Sequence, residues 1–279
     1  MSDRIYYWLR RVGAPFAFQL VGEDHIEDRG PAIYVANHLG AVGPIATILS
    51  MPVRLYPWAI AEMMDLERAP LYLYYDFVLP QLNLKGRIGM AVSHALSRVA
   101  VALLKGLDCI PVDRNRGRYF SAFRQSLALL AAGKNLVVFP EDSSKPPDPE
   151  TRIHPFLGGF LLLCWKYQHL TGRVLPVYPM AISNVRRTIA IGRALFLEQM
   201  RDRRQAVRQM CGRLQEEVQR LWRSLHAGPR QERGGRPGGA SSRMGPQEAA
   251  SEGDPKREQG LGGPLAQDRA VADRRRLPP

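Results

Sequence analysis

A chain of 279 residues, 45% hydrophobic and 23% charged, is ordinary for a globular protein and long enough for one large or two small cores. Its formal charge of +13 favours anionic partners, whether phosphorylated small molecules, acidic lipid surfaces or nucleic acid, without choosing among them. Cys109, Cys164 and Cys211 are widely spaced, show neither a disulfide framework nor a metal spacing, and read as buried free thiols.

The opening stretch MSDRIYYWLRRVG lacks the apolar core and small-residue cleavage site of a secretory signal. No uninterrupted run approaches the roughly 18 apolar residues that span a bilayer. The expectation is a cytoplasmic, non-spanning protein. Tyr6, Tyr7, Trp8, Phe16 and Phe18 are mixed with Arg10 and Arg11. That mixture suits a first helix packed on the core through Ile5, Leu9 and Val12, or a segment at the headgroup level of a membrane.

Short apolar, β-rich runs follow at 32–36, 53–60, 109–112, 135–139 and 174–182. They are continuous rather than alternating, as strands covered on both faces should be. Helical patterns lie between them at Ile88–Leu104, Tyr119–Ala132 and Phe156–Leu170, and the aromatic cluster at 69–77 repeats the choice between core and membrane. Over 200–225, Met200, Val207, Met210, Leu214, Val218, Leu221, Trp222 and Leu225 form one stripe of an amphipathic helix. Arg201, Arg203, Arg204, Arg208 and Arg213 on its polar side add attraction to acidic lipids. From Gly228 onward Gly, Pro, Arg, Ser, Gln and Glu dominate, and such a stretch cannot bury enough apolar area to order itself. The expectation is a single α/β domain over 1–227, a mostly buried sheet flanked by helices, with a disordered tail at 228–279.

Four short segments carry chemistry. Asn37-His38 directly follows the run AIYVA, and loops beyond the carboxyl ends of strands are where α/β sheets bind ligands. Taken alone, His38 reads equally as a satisfied structural histidine. LDCIPVDRNRG at 107–117 ends an apolar run in Asp113-Arg114, where a guanidinium suits bidentate phosphate contact or a surface ion pair. NLVVFPEDSSK at 135–145 runs a strand into Glu141, Asp142, Ser143, Ser144 and Lys145, a turn able to hold a polar ligand or simply to face solvent. VLPVYPM at 174–180 carries Pro176 and Pro179, which puts the strand at an edge or bends it.

In this order, NH at 37–38, CIPVDR at 109–114, FPEDSSK at 139–145 and VLPVYP at 174–179 resemble the four blocks of the glycerolipid (lysophospholipid) acyltransferases, which include the 1-acylglycerol-3-phosphate acyltransferases. The resemblance covers roughly residues 15–195. It implies an O-acyltransferase in which His38 is the general base for a lipid hydroxyl that attacks a fatty acyl thioester. Arg114 and Glu141 would help bind the glycerol-phosphate part of the acceptor, with Asn37, Ser143, Lys145 and Pro176 beside them. No cofactor is implied beyond the acyl donor, acyl-CoA or acyl carrier protein. The implied partners are that donor, a lysophospholipid acceptor and the inner face of the cell membrane, approached peripherally. Nucleic acid has no role in it.

The chain departs from the family's pattern in places that matter. The family's first block places an Asp five positions after the His, and here that position is Gly43. In the third block Phe139, Pro140 and Glu141 match, while Asp142 replaces a Gly, Ser143 a Thr and Ser144 an Arg. A general base needs its position and tautomer held. Asp142 is the candidate for supplying the missing carboxylate, and Lys145 for supplying the missing positive charge. The alternative is an acyltransferase fold that binds lipid or acyl chains without turnover.

Overall fold

In chain order the elements are α1 (Asp3–Gly13), β1 (Gln19–Val21), β2 (Ile33–Ala36), α2 (Val42–Ser50), β3 (Leu55–Ile60), α3 (Ala69–Leu73), α4 (Leu79–Leu82), α5 (Gly86–Gly106), β4 (Ile110–Val112), α6 (Arg116–Ala131), β5 (Asn135–Val138), α7 (Leu162–Thr171), β6 (Val177–Ser183), β7 (Thr188–Ile191) and α8 (Arg203–His226). A π-helical turn, Tyr74–Val78, joins α3 to α4. The structure is a computed structural model and describes residues 3–26, 30–40, 42–113 and 116–227. Arg114 and the tail at 228–279 lie outside the described residues.

The seven strands form one sheet in the order β1-β7-β6-β2-β5-β3-β4. Strands β6, β2, β5, β3 and β4 all run parallel, and β7, with β1 parallel to it, is antiparallel to β6. This is the expected α/β architecture. The run IYVA shows why its strands read as unbroken apolar stretches. Ile33 and Val35 pack into a core with residues of α6, α7 and α8, while Tyr34 and Ala36 face a second core with Ala46 of α2. Burying one such aliphatic side chain contributes about 1.5–3 kcal/mol, so alternation gives way to apolar residues on both faces.

On α8 the predicted stripe is the buried one: Met210, Leu214, Val218 and Leu221 are inside, and Asp202 caps its first turn by accepting from the backbone N–H of Arg204 at 2.8 Å. The N-terminal segment divides between its two readings. Tyr6 is fully buried against α2, with an Arg54 guanidinium 5.2 Å above its ring, whereas Tyr7, Trp8, Val12 and Phe16 are exposed. Cys109 and Cys164 are buried free thiols, each pushed up to about 12 by burial.

One expectation is corrected. The proline-containing run at 174–182 is no edge strand: β6 pairs with β2 on one side and β7 on the other. Pro179 faces Gly192, immediately beyond the end of β7, and still accepts that residue's N–H at 2.8 Å, so the proline costs the ladder only the returning bond. A Cβ on Gly192 would stand 2.9 Å from the Pro179 ring, so the glycine makes room for it. Helix α5 bears on the expectation of a non-spanning chain without overturning it. By length and composition it is apolar enough to cross a membrane. A search for unbroken apolar runs passes over it because Arg87, His94, Arg98 and Lys105 interrupt the stretch.

Candidate active site

The five parallel strands end on one edge of the sheet, so the loops after β2 and β5 emerge side by side, with Val35 and Val138 in register below them. Asn37 ends β2 by substituting its side chain for a further rung. Its amide accepts from the Ile182 N–H at 2.7 Å and donates to the Ile182 carbonyl at 3.2 Å, and the residue is buried. Asn37 therefore fastens the loop to β6 rather than facing a ligand.

His38, the next residue, turns outward and is exposed. Its ring stands edge-on to Phe139, with centroids 5.6 Å apart at 88°. Neither ring nitrogen has a hydrogen-bond partner among the described residues. Surrounding protein disfavours the imidazolium and holds His38 below its ordinary value of 6.5, against the Asp76 carboxylate, which pulls the other way. The imidazole is consequently neutral, and free to accept a proton, at neutral pH.

Glu141 fixes the backbone that carries that imidazole. One carboxylate oxygen accepts the His38 backbone N–H at 2.5 Å and the other accepts the His154 N–H at 2.9 Å. Burial pushes its carboxyl up, and the two N–H groups and His154 oppose that rise. The 140–145 loop is pinned to the 154–157 strand-like segment on both sides: the Asp142 N–H donates to the Pro155 carbonyl at 2.8 Å, and the Leu157 N–H to the Pro140 carbonyl at 2.8 Å. Two loops distant in sequence are thus joined through one half-buried carboxylate.

The remaining candidates divide. Asp142 accepts from the Ser144 hydroxyl at 2.6 Å and lies 3.9 Å from the Lys145 ammonium, contacts made within its own turn. No contact joins Asp142 to the His38 ring among the described residues. Ser143 and Lys145 are exposed on this loop, within the same cluster as Glu141. Pro176 is not brought to it. It precedes β6 at the opposite end of the sheet, where its carbonyl accepts from the Ile33 N–H at 3.0 Å. Gly43 lies on α2 behind the loop. A Cβ there would meet the Asn37 carbonyl at 3.6 Å and the Ile182 side chain at 3.8 Å, both ordinary contacts.

Two participants carried no signal in the sequence: His154 was legible only as a lone histidine in a loop, and Asp76 as one acid within an aromatic cluster. Phe139 was legible as part of the third block, without its contact to His38. Only long-range folding places them. A cavity of about 340 Å³, lined by Leu195, Arg213, Glu216, Glu217 and Arg220, belongs elsewhere: Leu195 bridges Val177 at the far end of β6.

No protein-family model matches the chain, and no curated protein matches it in sequence. Among solved structures it is similar to the 1-acyl-sn-glycerophosphate (LPA) acyltransferase PlsC from Thermotoga maritima, with a TM-score of 0.52 and 16% identity over 83% of this chain and 86% of that one. The chain has the fold of that enzyme. In this fold the strand-end loops carrying His38 and Glu141 are adjacent because β2 and β5 pair directly.

Proposed function

We propose that this protein is an O-acyltransferase that moves a fatty acyl group from a thioester, acyl-CoA or acyl carrier protein, to the hydroxyl of a lysophospholipid such as 1-acylglycerol-3-phosphate. The observation that carries the reading is an exposed imidazole, biased towards neutrality, on a loop whose backbone Glu141 clamps, at the tip of a central strand of a PlsC-like sheet. His38 takes the hydroxyl proton as the oxygen attacks the thioester carbonyl. The tetrahedral adduct then collapses with cleavage of the carbon–sulfur bond, and the departing sulfur receives the proton from the imidazolium. Ser143 and Lys145 on the neighbouring loop, with Arg114, would face the acceptor's polar head.

One observation favours a second reading, an acyltransferase fold that binds lipid or acyl chains without turnover. Among the described residues no carboxylate or carbonyl orients the His38 ring, and Gly43 stands where the resemblance implies an acid. The test is purified protein incubated with labelled acyl-CoA, or acyl carrier protein, and lysophosphatidate. Acylated product, reduced about 10²–10⁴-fold in His38→Ala, is the expected result. Product that persists in His38→Ala overturns the assignment of the base. Binding of lysolipid with no product from either donor establishes the second reading.

A further inference from the structure

Helix α5 is built inside out. Its buried positions are Gly89, Ser93, Ser97, Val101 and Gly106, while Ile88, Leu96, Val99 and Leu103 are exposed, Ile88 to 70% and Val99 to 60%. The small residues serve close packing. A Cβ on Gly89 would collide with the Leu84 carbonyl, and the Ser93 hydroxyl donates to the Pro70 carbonyl on α3. Only 22% of the apolar stretch of α5 is buried within the protein. An outer face of large apolar side chains above an inner face of glycine and serine is the reverse of a helix that borders water.

The charges on α5 are sorted as well. At about 100° per residue, Arg87, His94, Arg98 and Lys105 fall within about 40° of one another, and Ile88, Ala95, Leu96, Val99 and Leu103 fill the adjoining arc of about 100°. All four basic residues are exposed, and the helix carries no Asp or Glu. A continuous basic edge beside an apolar arc complements a surface with acyl chains below and negative charge at its rim. A second copy of this chain offers no such match, because the same helix has no acid to set against the basic edge.

We propose that α5 lies flat in the headgroup–acyl boundary of an anionic bilayer, its apolar arc turned into the lipid and its basic edge at phosphate level. The even spacing of the basic residues decides between lying and spanning. A helix of this length reaches about 31 Å and would cross a bilayer. Crossing, however, would carry His94 and Arg98 into the hydrocarbon centre, whereas lying flat leaves all four at one depth. The partners of α5 extend the surface, since Leu71, Tyr75 and Phe77, on α3 and the π-helical turn, are also exposed. Asp76 of that turn is the carboxylate whose field reaches His38, so a docked α5 brings lipid beside the candidate site. The proposal does not depend on acyl transfer.

The test is flotation of the full-length protein with vesicles of phosphatidylcholine, with and without phosphatidylglycerol, lacking lysolipid and acyl donor. Wild type floats with the anionic vesicles and is released by salt. Ile88→Ser/Val99→Ser/Leu103→Ser weakens partitioning at least about tenfold with unchanged circular dichroism, and Arg87→Gln/Arg98→Gln/Lys105→Gln loses the preference for anionic vesicles. Nitroxides at Ile88→Cys, Leu96→Cys and Leu103→Cys in a Cys211→Ser background report equal, shallow depths. A wild type that stays with the buffer, or a triple serine variant that floats like wild type, overturns the proposal. So does a deep Leu96 label between shallow ends, which means spanning, or a wild-type dimer that the serines dissociate without vesicle binding.

Discussion

The carboxylate of Glu141 accepts the backbone N–H of His38, 103 positions earlier in the chain, at 2.5 Å. A residue that the family resemblance assigns to substrate therefore has a prior task, holding the histidine loop to the 154–157 segment. Glu141→Gln keeps one acceptor and loses the other together with the charge. The expected cost is about 1.5–3 kcal/mol, read from urea denaturation, because hydrogen bonds to ionised groups are the stronger ones. A variant as stable as wild type would show that the clamp is slack.

The same carboxylate gives a pH signature. Burial raises its value in the folded state above the ordinary 4.5, so between the two values the folded chain binds more protons than the unfolded chain. This group's contribution makes stability fall as pH rises through that window and leaves it level above. Across the acid range the dependence of the denaturation midpoint on pH should be more positive in Glu141→Gln than in wild type, because the variant lacks this falling contribution.

For His38 the sign is opposite. Desolvation lowers its value, so the acid limb of kcat/KM should fall below pH 6.5, and the Asp76 carboxylate keeps it from falling further. Asp76→Asn is expected to move that limb to lower pH. A limb that moves up, or stays fixed while activity changes, would show that Asp76 does not act on this imidazole.

Asp142→Asn should leave turnover within about threefold of wild type. Its carboxylate oxygen is held by the Ser144 hydroxyl within the turn, and the asparagine oxygen can accept the same bond. A drop of about tenfold or more would instead return Asp142 to the role of orienting acid for His38.

Gly43→Ala is expected to stabilise the protein by about 0.5–1 kcal/mol. The added methyl meets only ordinary contacts, the position is helical, and alanine gives up less backbone freedom on folding than glycine. Thermal unfolding checks the sign.

The sheet was legible because its strands carry apolar residues on both faces, and IYVA, LYPWAI and NLVV stand out against any polar background. The three-residue β1 and the small-residue opening of α2 did not, since so short or bland a stretch has no period to detect. In the site, His38 and Glu141 were visible by their places after two strands. What each does was not, because the Glu141 partner groups are backbone N–H groups, which every residue except proline carries. Pro176 and Pro179 misled in the other direction. A proline in a strand warns of an edge, but the warning fails where the residue opposite has no side chain to meet the ring and still donates to the proline carbonyl, and that is a property of the neighbouring segment.

Gly192 gives its N–H to the Pro179 carbonyl and leaves room for the proline ring, so sliding β7 along β6 to set any other residue opposite Pro179 would drive that ring into a side chain. The pair acts as a stop, admitting one alignment of the antiparallel hairpin and rejecting its shifted competitors. Altering Gly192 alone would therefore bring the ring into collision, whereas replacing both positions together would relieve the clash and release the hairpin to choose among alignments.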